Sequence, residues 1–104
     1  MQEDLLLQIK KEENRLKIDI GGHLNQETSE RLAQELETHY KGDYCDTLIA
    51  CDEILFIGSA GFRVLLKTQR NLESKGFKMQ ITGVPIRIAA IIKSLGFDNV
   101  FNII

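Results

Sequence analysis

A chain of 104 residues has room for one hydrophobic core, and its hydrophobic fraction of 43% beside a charged fraction of 27% is that of an ordinary globular domain. The formal net charge is −2, from 13 basic and 15 acidic residues spread along the chain, which argues against a nucleic-acid binder, because such a protein needs a concentrated basic face. Cys45 and Cys51 stand six apart with no CxxC and no flanking histidine pair, so no metal or other cofactor is expected, and free thiols fit a reducing cytoplasm.

The start, Met1-Gln2-Glu3-Asp4, is acidic and lacks the basic opening of a secretory signal. No apolar run approaches the ~20 residues that span a bilayer. A cytoplasmic domain without direct membrane insertion is therefore expected.

Leu5, Leu7 and Ile9 alternate with outward positions, as do Leu16, Ile18 and Ile20, and period two predicts two half-buried strands. Lys10 to Asn14 is a polar connection short enough for a hairpin, and Gly21-Gly22 is expected to end the second strand. From Gln26 to Tyr40 the period becomes helical, with Leu32, Ala33, Leu36 and Tyr40 on one stripe, Asn25 as N-cap and Lys41-Gly42 as the close. Thr47 to Cys51 reads as a strand covered on both faces. Cys51 is expected in the core and Cys45 in a polar loop.

A second helix is predicted from Ser59 to about Lys75, burying Phe62, Leu65, Leu66 and Leu72, with Gly76 as the left-handed residue after it. Phe77, Met79 and Ile81 alternate as a strand. Pro85 suits the first turn of a third helix whose stripe is Ile88, Ile91, Ile92 and Leu95, a core stripe rather than a membrane anchor. Val100, Phe101, Ile103 and Ile104 form a last short strand or a packed tail. The order predicts an α/β fold: one domain over residues 1–104, with a mixed, mostly parallel sheet of four to five strands and three to four helices. In such sheets the functional loops lie beyond the carboxyl ends of the strands.

Phe56-Ile57-Gly58-Ser59-Ala60-Gly61-Phe62 is the most unusual stretch, an apolar run entering a Gly-Ser-Ala-Gly turn from which a helix leaves at once. A nucleophile elbow would need glycine where Ile57 stands, and a phosphate loop would need a lysine that does not come until Lys67. Two roles remain for Ser59. Its hydroxyl caps the helix, or it is a phosphoacceptor whose small neighbours leave it accessible. His23 is either an exposed turn residue or part of a contact surface, and Arg63, Lys67 and Arg70 are either a solvated helix face or a docking face for an acidic partner.

Ile54 to Leu66 resembles the phosphorylation segment of STAS domains: two hydrophobic residues, Asp, Ser, Ser or Ala, Gly, then a helix with Leu. Gly22-His23-Leu24-Asn25 is similar to that family's turn after its second strand. Gly83-Val84-Pro85, followed by Leu95-Gly96-Phe97-Asp98-Asn99-Val100-Phe101, is similar to its ending. The resemblance implies a non-enzymatic anti-sigma factor antagonist of bacterial type, a monomer or weak dimer. It would bind an anti-sigma factor with a serine kinase fold and be released by phosphorylation at Ser59. A PP2C-type phosphatase would restore binding. The implied partner surface comprises His23, Asn25, Gly58, Ser59, Ala60, Gly61, Phe62 and Arg63. One departure stands out: Gly58 occupies the place of the family's Asp. Two rival roles for such a domain are an accessory subunit of a transporter or lipid-transport complex, and a small-ligand or nucleotide-binding domain.

Overall fold

The structure, a computed structural model, describes residues 4–104. Strands β1 (Leu5–Lys11) and β2 (Arg15–Leu24) form the expected hairpin, antiparallel from Leu5 opposite Gly22 to Lys11 opposite Leu16. Its turn closes through the Glu12 amide on the Arg15 carbonyl at 2.8 Å. The Arg15 guanidinium beside it, 2.7 Å from the Glu12 carboxylate, holds that carboxyl below its usual range.

Gly21-Gly22 does not end β2; the strand runs on to Leu24. The glycines serve a close crossing instead. A Cβ on Gly22, whose φ is +82°, would lie 2.3 Å from the carbonyl oxygen of Asp4. The pairing with the third strand shifts register on both sides of Gly22, so the last residues of β2 are re-aimed rather than released.

Helix α1 (Gln26–Tyr40) has the expected bounds, ending on Lys41 in the left-handed region. Leu32, Leu36 and Tyr40 are buried, but Ala33 is exposed; Thr28 and Ser29 are buried in its place, which turns the inward stripe away from Ala33. Strand β3 (Asp46–Ile57) is far longer than the Thr47–Cys51 run. It pairs with β2 along most of its length, from Asp46 to Ile57, but with β4 (Met79–Thr82) only through Thr47–Ala50. The second half of β3 therefore outruns β4 and carries Leu55 and Phe56 into solvent.

Helix α2 (Ser59–Ser74) buries Phe62, Leu65 and Leu72, leaves Leu66 half-buried, and also buries Thr68 and Gln69. Gln69 is inside because its Nε2 donates to the Val100 carbonyl at 2.6 Å, tying the helix to the chain's end. Phe77 lies before β4. Helix α3 (Ile86–Ser94) buries only Ile88 and Ile92. Ile91 and Leu95 of the expected stripe are 38% and 53% exposed, because this short helix meets the sheet along a narrow line. A 3-10 turn, Phe97–Asn99, leads into β5 (Asn102–Ile103).

The five strands lie in sequence order, with β1 antiparallel and the rest parallel. Cys51 and Ile57 of β3, Ile81 of β4, Phe62 and Leu65 of α2 and Ile88 and Ile92 of α3 close on one another, and α1 packs beside α2. The three helices thus cover one face of the sheet. The other face, with Leu6, Gln8 and Asp52, meets water.

Candidate functional site

Leu24 and Ile57, the last residues of β2 and β3, are register partners, and each strand feeds a helix within two residues. Two helix N-termini consequently open side by side at one rim. The first is closed by its own side chains. Asn25 Oδ1 accepts from the Thr28 amide at 2.9 Å, Thr28 Oγ1 accepts from the Asn25 amide at 2.9 Å, and the same hydroxyl donates to the His23 carbonyl at 2.6 Å. This reciprocal cap also explains why Thr28 is buried.

The second N-terminus is built differently. Gly58 is the N-cap and has no side chain to offer, so Ser59 is the first helical residue and does not cap. Its side chain is exposed, and no described side chain is hydrogen-bonded to its hydroxyl. The leading amides of α2 lack a side-chain acceptor. That end of the helix carries partial positive charge able to receive an anion.

The structure sorts the expected surface into two layers. Asn25, Ser59 and Arg63 are exposed, and His23, Gly58 and Ala60 are half-buried. Gly61 and Phe62 are not surface residues. Phe62 is 4% exposed and its ring packs on Phe97, centroids 5.4 Å apart, with Phe97 in turn edge-on to Phe101. A Cβ on Gly61 would sit 2.9 Å from both Leu24 Cβ and Ile57 Cγ2. These two residues press the first turn of α2 onto the strand ends and support the loop from beneath.

His23 belongs to β2 rather than to a turn. Its Nδ1 faces the Asp4 carboxylate, and its ring lies 6.3 Å from that of Phe56, its register partner. The residues that sequence reasoning passed over are Leu55 and Phe56, 54% and 45% exposed, and Ile86, 89% exposed. Arg87 Nη2 donates to the Leu55 carbonyl at 2.9 Å, which fastens the start of α3 to the overhang of β3. Phe56 in turn lies beside Gly58. The rim that carries Ser59 therefore has an exposed apolar flank at Leu55 and Phe56. The unbroken Ile54-Leu55-Phe56-Ile57 run gave no signal of this, because such a run equally suits a strand covered on both faces.

A concavity of about 560 Å³ lies elsewhere, along β1 and the open sheet face, among Leu6, Gln8, Asp19, Arg31, Asp52 and Glu53. Its wall carries three carboxylates against the single guanidinium of Arg31, a net negative lining that disfavours phosphate-bearing ligands. Among the described residues no group of three or more His, Cys, Asp or Glu is placed to hold a metal ion. No described helix is long and apolar enough to cross a membrane.

Residues 7–104 match a family model described as "Mlab, STAS domain". No curated protein matches the chain. Among solved structures, an anti-sigma factor antagonist from Mycobacterium paratuberculosis superposes with a TM-score of 0.83 at 17% identity, over 95% of this chain and 84% of that one. The anti-sigma factor antagonist SpoIIAA in its unphosphorylated form gives 0.77 at 15% identity, over 95% and 87%. A serine-to-glutamate variant of RsbS from Moorella thermoacetica gives 0.77 at 18%, over 94% and 85%. At these identities the likeness is one of fold.

Proposed function

The chain belongs to the STAS family, and from that premise we propose that it is an anti-sigma factor antagonist that works by protein–protein contact and is switched at Ser59. The observation that carries this reading is the exposed, uncapping Ser59 at the first position of α2, flanked by Phe56, Asn25 and Arg63. No described base is bonded to the hydroxyl, as one would be for an activated nucleophile, so the serine is read as an acceptor of phosphate and not as a catalyst.

The physics of the switch follows from the two states. In the free domain, phosphate on Ser59 meets the leading amides of α2 and is tolerated. In the complex the same dianion has to be desolvated beside Leu55 and Phe56, and an unpaired charge left at an interface costs roughly 2–5 kcal/mol. The partner is read as an anti-sigma factor with a serine kinase fold, and a PP2C-type phosphatase resets the switch. Sequence identity to the three solved structures named above is 15–18%, so this reading rests on the site.

One observation favours a second reading. With Gly58 where the family resemblance expects Asp, the residue before Ser59 carries no carboxylate, and a constitutive accessory subunit of a transporter or lipid-transport complex has no need of one. Affinity capture from native extract separates the two, with Phe56→Asp as the control that removes the apolar flank. Recovery of a kinase-fold partner by wild type but not by the variant supports the antagonist. Recovery of a transporter ATPase instead rejects it.

A further inference from the structure

The strand order leaves β1 and β5 as the two edges of the sheet, and they differ greatly in what they offer. β5 has two residues. β1 has seven, pairs with β2 without a register shift, and contains no proline. In an antiparallel ladder, successive residues turn their backbone groups alternately toward and away from the neighbour. The His23 amide on the Asp4 carbonyl and the Glu12 amide on the Arg15 carbonyl fix the phase. Even-numbered residues of β1 face β2, so the N–H and C=O groups of Leu5, Leu7, Ile9 and Lys11 point out of the sheet. A long, regular edge of this kind is a template for another strand.

The side chains single out one such strand. Turned antiparallel about Leu7, a second copy of β1 sets Leu5 opposite its Ile9 and Leu7 opposite its Leu7. Leu6, 65% exposed, then meets Gln8 of the second copy, and Asp4 meets its Lys10. Every outward backbone group from Leu5 to Ile9 finds a partner, apolar residues meet at the rim of the core, and opposite charges meet twice. Neighbouring registers of the same phase lack this match. A dyad at Leu6 keeps Leu5 against Leu7 but puts Ile9 against Glu3 and Asp4 against Gln8, and one at Gln8 puts Leu5 against Lys11 and Asp4 against Glu12.

We propose that two copies of this chain pair through β1 about a two-fold axis at Leu7, joining their sheets into one. The two-fold reverses strand direction, so the two Ser59 rims face opposite ends of the dimer and both stay free. The inference does not depend on what Ser59 binds. A single strand pair sits at the small end of interface sizes, and a dissociation constant on the order of 10–100 µM is expected.

Sedimentation equilibrium of the full chain at low salt, from about 5 µM to about 1 mM, should show reversible dimerisation. Lys10→Glu, at an exposed position, places like charges opposite Asp4 twice and should weaken the dimer roughly tenfold; adding Asp4→Lys should restore it. Register is read by disulfide trapping in a Cys45→Ser background. Leu6→Cys mixed with Gln8→Cys should cross-link, since such opposed residues are about 4.5 Å apart between Cα atoms, and Leu6→Cys alone should not. A chain that stays monomeric throughout overturns the proposal. So does a dimer indifferent to the charge swap, or one that traps Leu6→Cys alone as readily as the mixture.

Discussion

The amide of Gly58 donates to the carbonyl of Leu24 at 2.9 Å, so the last residue of β2 holds the first turn of α2 in place. Through that one bond the capped N-terminus at Asn25 and the uncapped one at Ser59 share a rim. The position of the Ser59 hydroxyl is thus set by strand pairing rather than by the loop's own composition.

Gly58→Asp restores the residue the family pattern expects and should be accepted by the fold. Gly58 has φ −91° and ψ −178°, extended backbone that any residue adopts. An added Cβ would come within 3.2 Å of the Phe56 ring, which is 45% exposed and free to shift outward. The new carboxylate caps α2, worth a few tenths of a kcal/mol over glycine. Urea unfolding should therefore place the variant within about 0.5 kcal/mol of wild type. A loss of several kcal/mol would show that Phe56 is fixed by its neighbours.

Gly61→Ala should behave in the opposite way although it adds only one methyl. The Cβ would lie 2.9 Å from Leu24 Cβ and from Ile57 Cγ2, both anchored in buried strand residues that cannot swing aside. Overpacking of this kind costs roughly 1–3 kcal/mol and would lift α2 away from the strand ends. A urea midpoint unchanged from wild type would mean that the helix has slack here.

The contrast between these glycines shows how far the residues alone carry the structure. The bounds of α1 were legible because Asn25, Lys41 and Gly42 punctuate a clear helical stripe, and the start of α2 at Ser59 was legible for the same reason. The buried positions of β1, β2 and β4 followed from alternation. The length of β3 did not, because Asp52 and Glu53 interrupt its apolar run, and only the early end of β4 decides that Leu55 and Phe56 face water. Gly21-Gly22 read as a stop because glycine marks bulges and strand ends alike. At the site, the serine's place on the helix was legible but its cap role was not: Gly58 and Ser59 are both acceptable N-caps, and a shift of one residue changes what the hydroxyl does. The burial of Phe62 was expected, yet its membership of a contact surface came with the family pattern. The packing of Phe62 on Phe97 separates the two.

Alkaline pH should destabilise the domain in two stages. Burial pushes the Cys51 thiol up to about 12 from 9.0, with Asp52 adding to the shift. Burial likewise pushes the Tyr40 phenol up to about 12 from 10.0, against the opposing hydrogen bond with Thr47. The folded chain keeps protons that the unfolded chain releases, so this stability is complete below pH 9 and falls as pH rises toward 12. Each group loses about 1.4 kcal/mol per pH unit within its window. Urea midpoints measured from about pH 8 to about pH 11 should decline, with the slope steepening above the ordinary phenol range. Tyr40→Phe should remove the steepening. A midpoint flat across that span would contradict the burial of both groups.

The central claim is that a neutral residue at position 59 binds the partner and a dianionic one does not. Calorimetry of wild type, Ser59→Ala and phosphorylated Ser59 against the co-purifying kinase-fold partner tests it directly. The account predicts equal binding by wild type and Ser59→Ala, and binding by the phosphorylated form weaker by a factor of about thirty or more, the equivalent of the roughly 2–5 kcal/mol of an unpaired interfacial charge. Equal affinities for all three forms would contradict it and leave Ser59 an exposed residue on a constitutive docking surface.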